Sequence, residues 1–184
     1  MHIEELLNID CITVNMAVGS RADAINALAD SFASSNPQLS SARVAHALHE
    51  REALASTDVG SGVAIPHARL PEVDGARVAI TICRDEVPFA EDGSAIEDGH
   101  EPVRILVGLL TDEGQPSHSL TALCAVASLL RSEEVREQLR KAETPAGVLD
   151  VLTAAQSART DHADRTDRTD RTWRVSAAPA SDRC

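Results

Sequence analysis

Apolar positions recur at helical spacing in RADAINALADSFASS (21–35), directly behind Ser20, a residue type that caps helix N-termini. A turn at Asn36-Pro37 separates this segment from a second helical pattern running from Ser40 to about Ala55. Short β-branched or continuous apolar runs mark strands at CITVNM (11–16), GVAI (62–65), ARVAITICR (76–84) and VRILVGLL (103–110). The last of these has no polar alternation, which predicts a central strand covered on both faces. Three more helical patterns close the domain: SHSLTALCAVASLLRS (117–132), EEVREQLRKA (133–142) and TPAGVLDVLTAA (144–155). Ser132 and Thr144 stand as their caps and Pro145 at a first helical position. Strands interleaved with helices predict an α/β fold, a mixed β-sheet sandwiched by helices.

The pattern stops near residue 155. The last 28 residues, SARTDHADRTDRTDRTWRVSAAPASDRC, hold three Asp-Arg-Thr units and almost nothing that burial would reward. We therefore expect one domain over 1–155 and a disordered low-complexity tail over 156–184. The tail carries six Arg against five Asp, so the net charge of -12 belongs to the domain.

Composition removes several classes of function. With two Phe, one Trp and no Tyr, the chain lacks stacking platforms for single-stranded nucleic acid, and its acidity repels phosphate backbones. No nucleic-acid partner is expected. Lys141 is the only lysine, and the acidic, lysine-poor balance describes habitat more than chemistry. The N-terminal MHIEELLNIDCITV has neither a basic leader nor a long apolar run, and no segment reaches the ~18–20 apolar residues of a membrane span. A cytoplasmic protein without membrane insertion is expected. Cys11, Cys83, Cys124 and Cys184 are scattered without metal-type spacing, and the first three sit in apolar surroundings that suit core positions.

One stretch stands out chemically. LASTDVGSGVAIPHARLPEV (54–73) ends an apolar run at Pro66, which fixes its own φ and keeps Ile65 extended, so His67 is presented at a stiff strand end. Upstream, hydroxyls and two glycines form a loop whose backbone N–H groups suit an anion. Arg51, at the end of the preceding helix, offers a fork of donors matched to phosphate oxygens. A neutral imidazole beside an anion site is a competent nucleophile for phosphorus, and needs neither metal nor cofactor. On this geometry taken by itself, a structural histidine and a reactive one are about equally expected.

Competing sites fall away. His46 and His49 lie three apart on a helix, yet no Cys or acidic pair joins them, so no metal is expected. EDGSAIEDGHE (91–101) lacks the ligand spacing of a calcium loop and reads as a solvated acidic turn. Paired glycosidase carboxylates, a serine elbow and a GxxxxGK loop are missing from the sequence.

EALASTDVGSGVAIPHA (52–68) resembles the active-site signature of the enzyme IIA domains of the sugar phosphotransferase system, fructose and mannitol type, including the nitrogen-regulatory members. An acidic residue, a Thr, a small-residue loop and Ala-Ile-Pro-His-small follow in the family's order and spacing. The likeness extends more loosely over 1–155, through EVPFAEDGSAIEDGHEPVRILVGLL, similar to the family's Pro-Phe-Asp turn and core strand. It implies that His67 is the phosphorylated residue, with Arg51 beside it and Thr57, Gly60 and Gly62 holding phosphate. One position departs: where the family opens a helix with His, this chain has Ser119, and His118 stands one residue earlier. His118 is the expected second histidine of the site, with an exposed residue near a helix start as the equal alternative.

The resemblance implies a phosphocarrier that takes a phosphoryl group from phospho-HPr on His67 and passes it to a IIB component, with IIC in the membrane, for uptake of fructose or a related sugar. The alternative is a regulatory IIA protein in which phosphorylation of His67 switches binding to a partner. A non-phosphorylated binding module of the same fold is disfavoured by the intact signature.

Overall fold

The computed structural model describes residues 3–89, 101–114 and 116–175, with backbone only at 116–118 and 161–175. The acidic turn expected at 91–101 lies almost wholly outside the described residues, as does Cys184.

The elements follow in the order α1 (Ile3–Leu6), β1 (Leu7–Met16), α2 (Arg21–Ser35), α3 (Ser41–Leu54), β2 (Asp58–Gly60), β3 (Val63–Ala64), β4 (His67–Arg69) and β5 (Ala76–Val87). They continue with β6 (Val103–Thr111), α4 (Pro116–Leu130), α5 (Glu133–Lys141) and α6 (Pro145–Val175). The caps act as the sequence requires. Ser20 and Ser132 accept backbone N–H bonds from Asp23 and Val135, and Thr144 Oγ1 accepts from Gly147.

The sheet is mixed, in the order β1-β5-β6-β3-β2, with β4 also paired to β6. β1 runs parallel to β5, β5 antiparallel to β6, and β3 and β4 both parallel to β6. β6 is central, as its unbroken apolar run predicted: Ile105, Leu106, Leu109 and Leu110 are all buried. α2 and α3 pack together on the sheet, and α4, α5 and α6 form a second helical group against it. Helix α2 packs tightly on β6 at Gly108, where an added Cβ would lie 2.8 Å from Phe32 Cε2. The fold is thus an α/β mixed sheet covered by helices.

Two details differ from expectation and bear on function. β3 ends at Ala64 before Pro66, and pairing with β6 restarts in β4 at His67. The register of β3 to β6 resumes unchanged in β4, with Val63 opposite Ile105 and His67 opposite Leu109. Proline cannot donate to the ladder, so pairing lapses at 65–66, while Pro66 O still accepts from Leu109 N at 2.9 Å. His67 therefore lies on a sheet edge, held to β6 along one side. Second, α6 runs on to Val175, past the expected boundary at 155. The repeat sets Asp161, Asp164, Asp167 and Asp170 each four residues before an Arg, a sequence spacing that favours helix.

Cysteines split as well. Cys11 and Cys83 are core residues, but Cys124 is exposed on α4, because its helical position falls outside the apolar stripe of Ala122, Val126 and Leu129. No helix among the described residues is long and apolar enough to cross a membrane.

Candidate active site

His67 opens β4, beside the C-terminal end of β6, where strand ends meet loops in α/β sheets. Its two ring nitrogens have fixed partners. Nδ1 lies 2.9 Å from Ile65 O, and a carbonyl oxygen only accepts, so Nδ1 carries the proton. Nε2 is then the atom with the lone pair, and it accepts from Arg51 Nε at 3.1 Å. This is the tautomer a nucleophile needs.

Arg51 stands in the last turn of α3, where a cation complements the helix carbonyls. Its Nη1 donates to Ala55 O at 2.9 Å, which spreads the guanidinium between the helix end and the imidazole. Both residues line a cavity of about 810 Å³ together with Glu50, Arg69, Thr111 and Ser119. Leu54 and Leu120, 83% and 65% exposed, flank its mouth from α3 and α4.

Arg69 was missed in the sequence. It follows His67 by two residues on one strand, and period-two alternation returns it to the same face. Arg69 Nε donates to Ser119 Oγ at 3.3 Å, and Ser119 Oγ lies 2.5 Å from Thr111 Oγ1. A second guanidinium and a pair of hydroxyls thus share the cavity with His67 and Arg51. His118 falls in the first turn of α4, and its side chain lies outside the described residues.

The phosphate-binding residues expected in the loop are elsewhere. Gly60 and Gly62, with φ of 82° and 72° on either side of Ser61 at 56°, make the tight left-handed turn between β2 and β3. That turn is at the opposite end of β6, since Gly62 O accepts from Arg104 N and Ile105 N. Five residue steps of extended chain separate Gly62 from His67, about 16 Å. It is pinned from α5, where Arg140 Nη2 donates to Ser61 O at 2.7 Å. Thr57 is 4% exposed and its hydroxyl donates to Glu52 Oε2 at 2.5 Å. None of the three lines the His67 cavity. The glycines serve the turn geometry, and Thr57 serves the loop.

His46 pairs with Glu50 at 3.4 Å and His49 with Asn26 at 3.0 Å, so the two helical histidines have separate partners.

A mixed α/β sheet thus presents a histidine whose Nε2 accepts from Arg51, in a cavity that also holds Arg69, Ser119 and Thr111. Residues 5–155 match the sequence model of the family described as phosphoenolpyruvate-dependent sugar phosphotransferase system, EIIA 2, and the chain belongs to that family. A nitrogen regulatory protein of Klebsiella oxytoca is 31% identical over 157 residues, covering 85% of this chain and 93% of the relative. A fructose-specific EIIABC component of Bacillus subtilis is 28% identical over 153 residues, covering 83% of this chain and 23% of that longer protein. The crystal structure of the nitrogen regulatory protein IIA-Ntr from Neisseria meningitidis superposes with a TM-score of 0.71 at 33% identity, covering 82% of this chain and 99% of that one.

Proposed function

We propose that the protein is a histidine phosphocarrier: His67 Nε2 takes a phosphoryl group from phospho-HPr and gives it to a IIB component, with IIC in the membrane complex, serving uptake of fructose or a related sugar. The observation that carries this reading is the bond from Arg51 Nε to His67 Nε2, with Nδ1–H already committed to Ile65 O.

In the transfer, the Nε2 lone pair forms the new P–N bond as the P–N bond of the donor breaks, and the donor ring keeps that electron pair. The Nδ1 proton stays where it is. Positive charge developing on the His67 ring is stabilised by the Ile65 carbonyl, and Arg51 passes from the ring nitrogen to a phosphoryl oxygen as the group arrives. Arg69, Ser119 and Thr111 offer further donors around the equatorial oxygens. Return transfer to the acceptor runs the same steps backwards. The exposed Leu54 and Leu120 at the cavity mouth suit docking of protein partners. The transferring unit is residues 1–155, with 156–184 outside it, a boundary that the family match over 5–155 supports.

Incubation with phosphorylated HPr tests the reading: acid-labile phosphate appears on the protein and is absent from a His67→Ala variant. Undiminished labelling of that variant, or none on the wild type, would sink it.

A second reading, a regulatory IIA protein whose His67 phosphorylation switches partner binding, is favoured by the names of the Klebsiella and Neisseria relatives. Adjacent IIB and IIC genes support transport. Partners captured only in one phosphorylation state support regulation.

A further inference from the structure

Behind the reactive pair lies a buried carboxylate that neither touches the cavity nor takes part in transfer. Glu52 is the neighbour of Arg51 on α3, and the helix turns the two side chains apart: Arg51 to the cavity, Glu52 into the body at 4% exposure. Both Glu52 oxygens accept Thr57 N–H at 3.1 Å, and Oε2 also accepts the Thr57 hydroxyl. Arg21 Nη1 stands 3.9 Å from Oε1 and donates to Phe89 O at 2.9 Å, which ties the carboxylate to α2 and to the end of β5.

From Thr57 two links reach the site. Thr57 O accepts Ile65 N–H at 2.9 Å, and Ile65 O accepts His67 Nδ1–H at 2.9 Å. Two residues before Thr57, Ala55 O accepts Arg51 Nη1. One carboxylate therefore fixes the short loop whose carbonyls, directly or at one remove, set the proton of His67 and the guanidinium of Arg51.

We propose that Glu52, acting through Thr57, is the positioning residue of the site: it holds His67 in the Nδ1–H tautomer and Arg51 against Nε2. This rests on the reading of His67 as the phosphoryl acceptor. Without the carboxylate, the buried N–H and hydroxyl of Thr57 lose their acceptor, and a buried donor left unpaired drives its segment toward water. Ala55 O and Thr57 O then shift, and with them both partners of the transfer. Misplacement of about 1 Å is enough to slow a positioned reaction about a hundredfold.

The test pairs ring-nitrogen NMR of His67 in the free protein with kinetics of phosphoryl transfer from phospho-HPr. In wild type, Nε2 gives the signal of an unprotonated nitrogen and Nδ1 that of a protonated one. Glu52→Ala and the isosteric Thr57→Val give averaged nitrogen shifts from mixed tautomers. Their kcat falls tenfold to a hundredfold, on the order expected for misplacement, with KM for phospho-HPr within about twofold. Thr57→Ser keeps both the hydroxyl and the N–H and restores wild-type behaviour. Should Glu52→Ala fail to melt cooperatively, Thr57→Val decides. A folded variant that keeps one tautomer and the wild-type kcat overturns the proposal, and so does a loss expressed only in KM. If wild type takes no phosphate, the carrier reading falls, while the tautomer measurement still judges Glu52.

Discussion

Arg51 Nε directs its N–H at the lone pair of His67 Nε2 across 3.1 Å. In the proposed transfer, the lone pair that would attack phosphorus is thus capped in the resting protein by the group that would meet the incoming charge. Replacement by Lys keeps the charge and loses the planar fork that spans Nε2 and Ala55 O. Arg51→Lys is expected to slow phosphoryl acceptance by about 10²-fold, the scale of losing one preorganised donor, with no change in melting temperature beyond a degree or two. Rapid-quench labelling of His67 measures it, and a rate within threefold of wild type would remove Arg51 from the reaction.

Leu54 and Leu120 face solvent on either side of the cavity, an exposure of large apolar groups that a partner surface explains. Leu54→Asp and Leu120→Asp are expected to raise KM for phospho-HPr about tenfold each, the cost of spoiling a docking contact. Chemical phosphorylation of His67 by phosphoramidate, which needs no docking, stays at the wild-type rate. If both donors slow equally, the leucines support the site and not the partner.

The site was partly legible in the sequence, and the division has a physical basis. His67 and Arg51 could be placed because proline stiffness and a helix end are local properties. The place of the glycine turn was not legible, because composition says that backbone N–H groups are accessible but not where they point. Only the pairing of Gly62 O with Arg104 N and Ile105 N sets that turn at the far end of β6. Arg69 escaped for a similar reason: its face follows from the strand continuing in register beyond Pro66, a tertiary fact. Of the fold, β6 was plain because both of its faces are covered. β2 and β4, of three residues each, are too short to leave a period.

Gly60 separates the turn reading from an anion-loop reading. Its φ of 82° favours glycine, and no atom lies within 4 Å of an added Cβ, so Gly60→Ala meets a backbone penalty without a clash. We expect a loss of about 1 kcal/mol in chemical denaturation and an unchanged rate of His67 labelling. A labelling rate reduced tenfold in a variant of near-native stability would return the loop to the phosphate.

The core thiols set an alkaline limit to stability. Burial pushes the Cys83 thiol up to about 11, partly offset by the Arg104 guanidinium, and burial raises Cys11 as well. In the unfolded chain the thiol ionises near its ordinary value of 9.0. Between these values the native state holds a proton that the unfolded state has released, so the stabilisation is complete below pH 9 and is lost as pH rises toward 11. Its size is at most roughly 3 kcal/mol. In denaturant titrations the fall in stability from pH 9 to 11 is expected to be smaller in Cys83→Val than in wild type. Parallel curves would exclude the thiol as the cause. Accessibility gives an independent check in a Cys184→Ser background at pH 8: Cys124, exposed on α4, reacts with a thiol reagent within minutes, while Cys11 and Cys83 react only on unfolding. Release of more than one thiol from the folded protein would show that the sheet opens on the β1–β5 side.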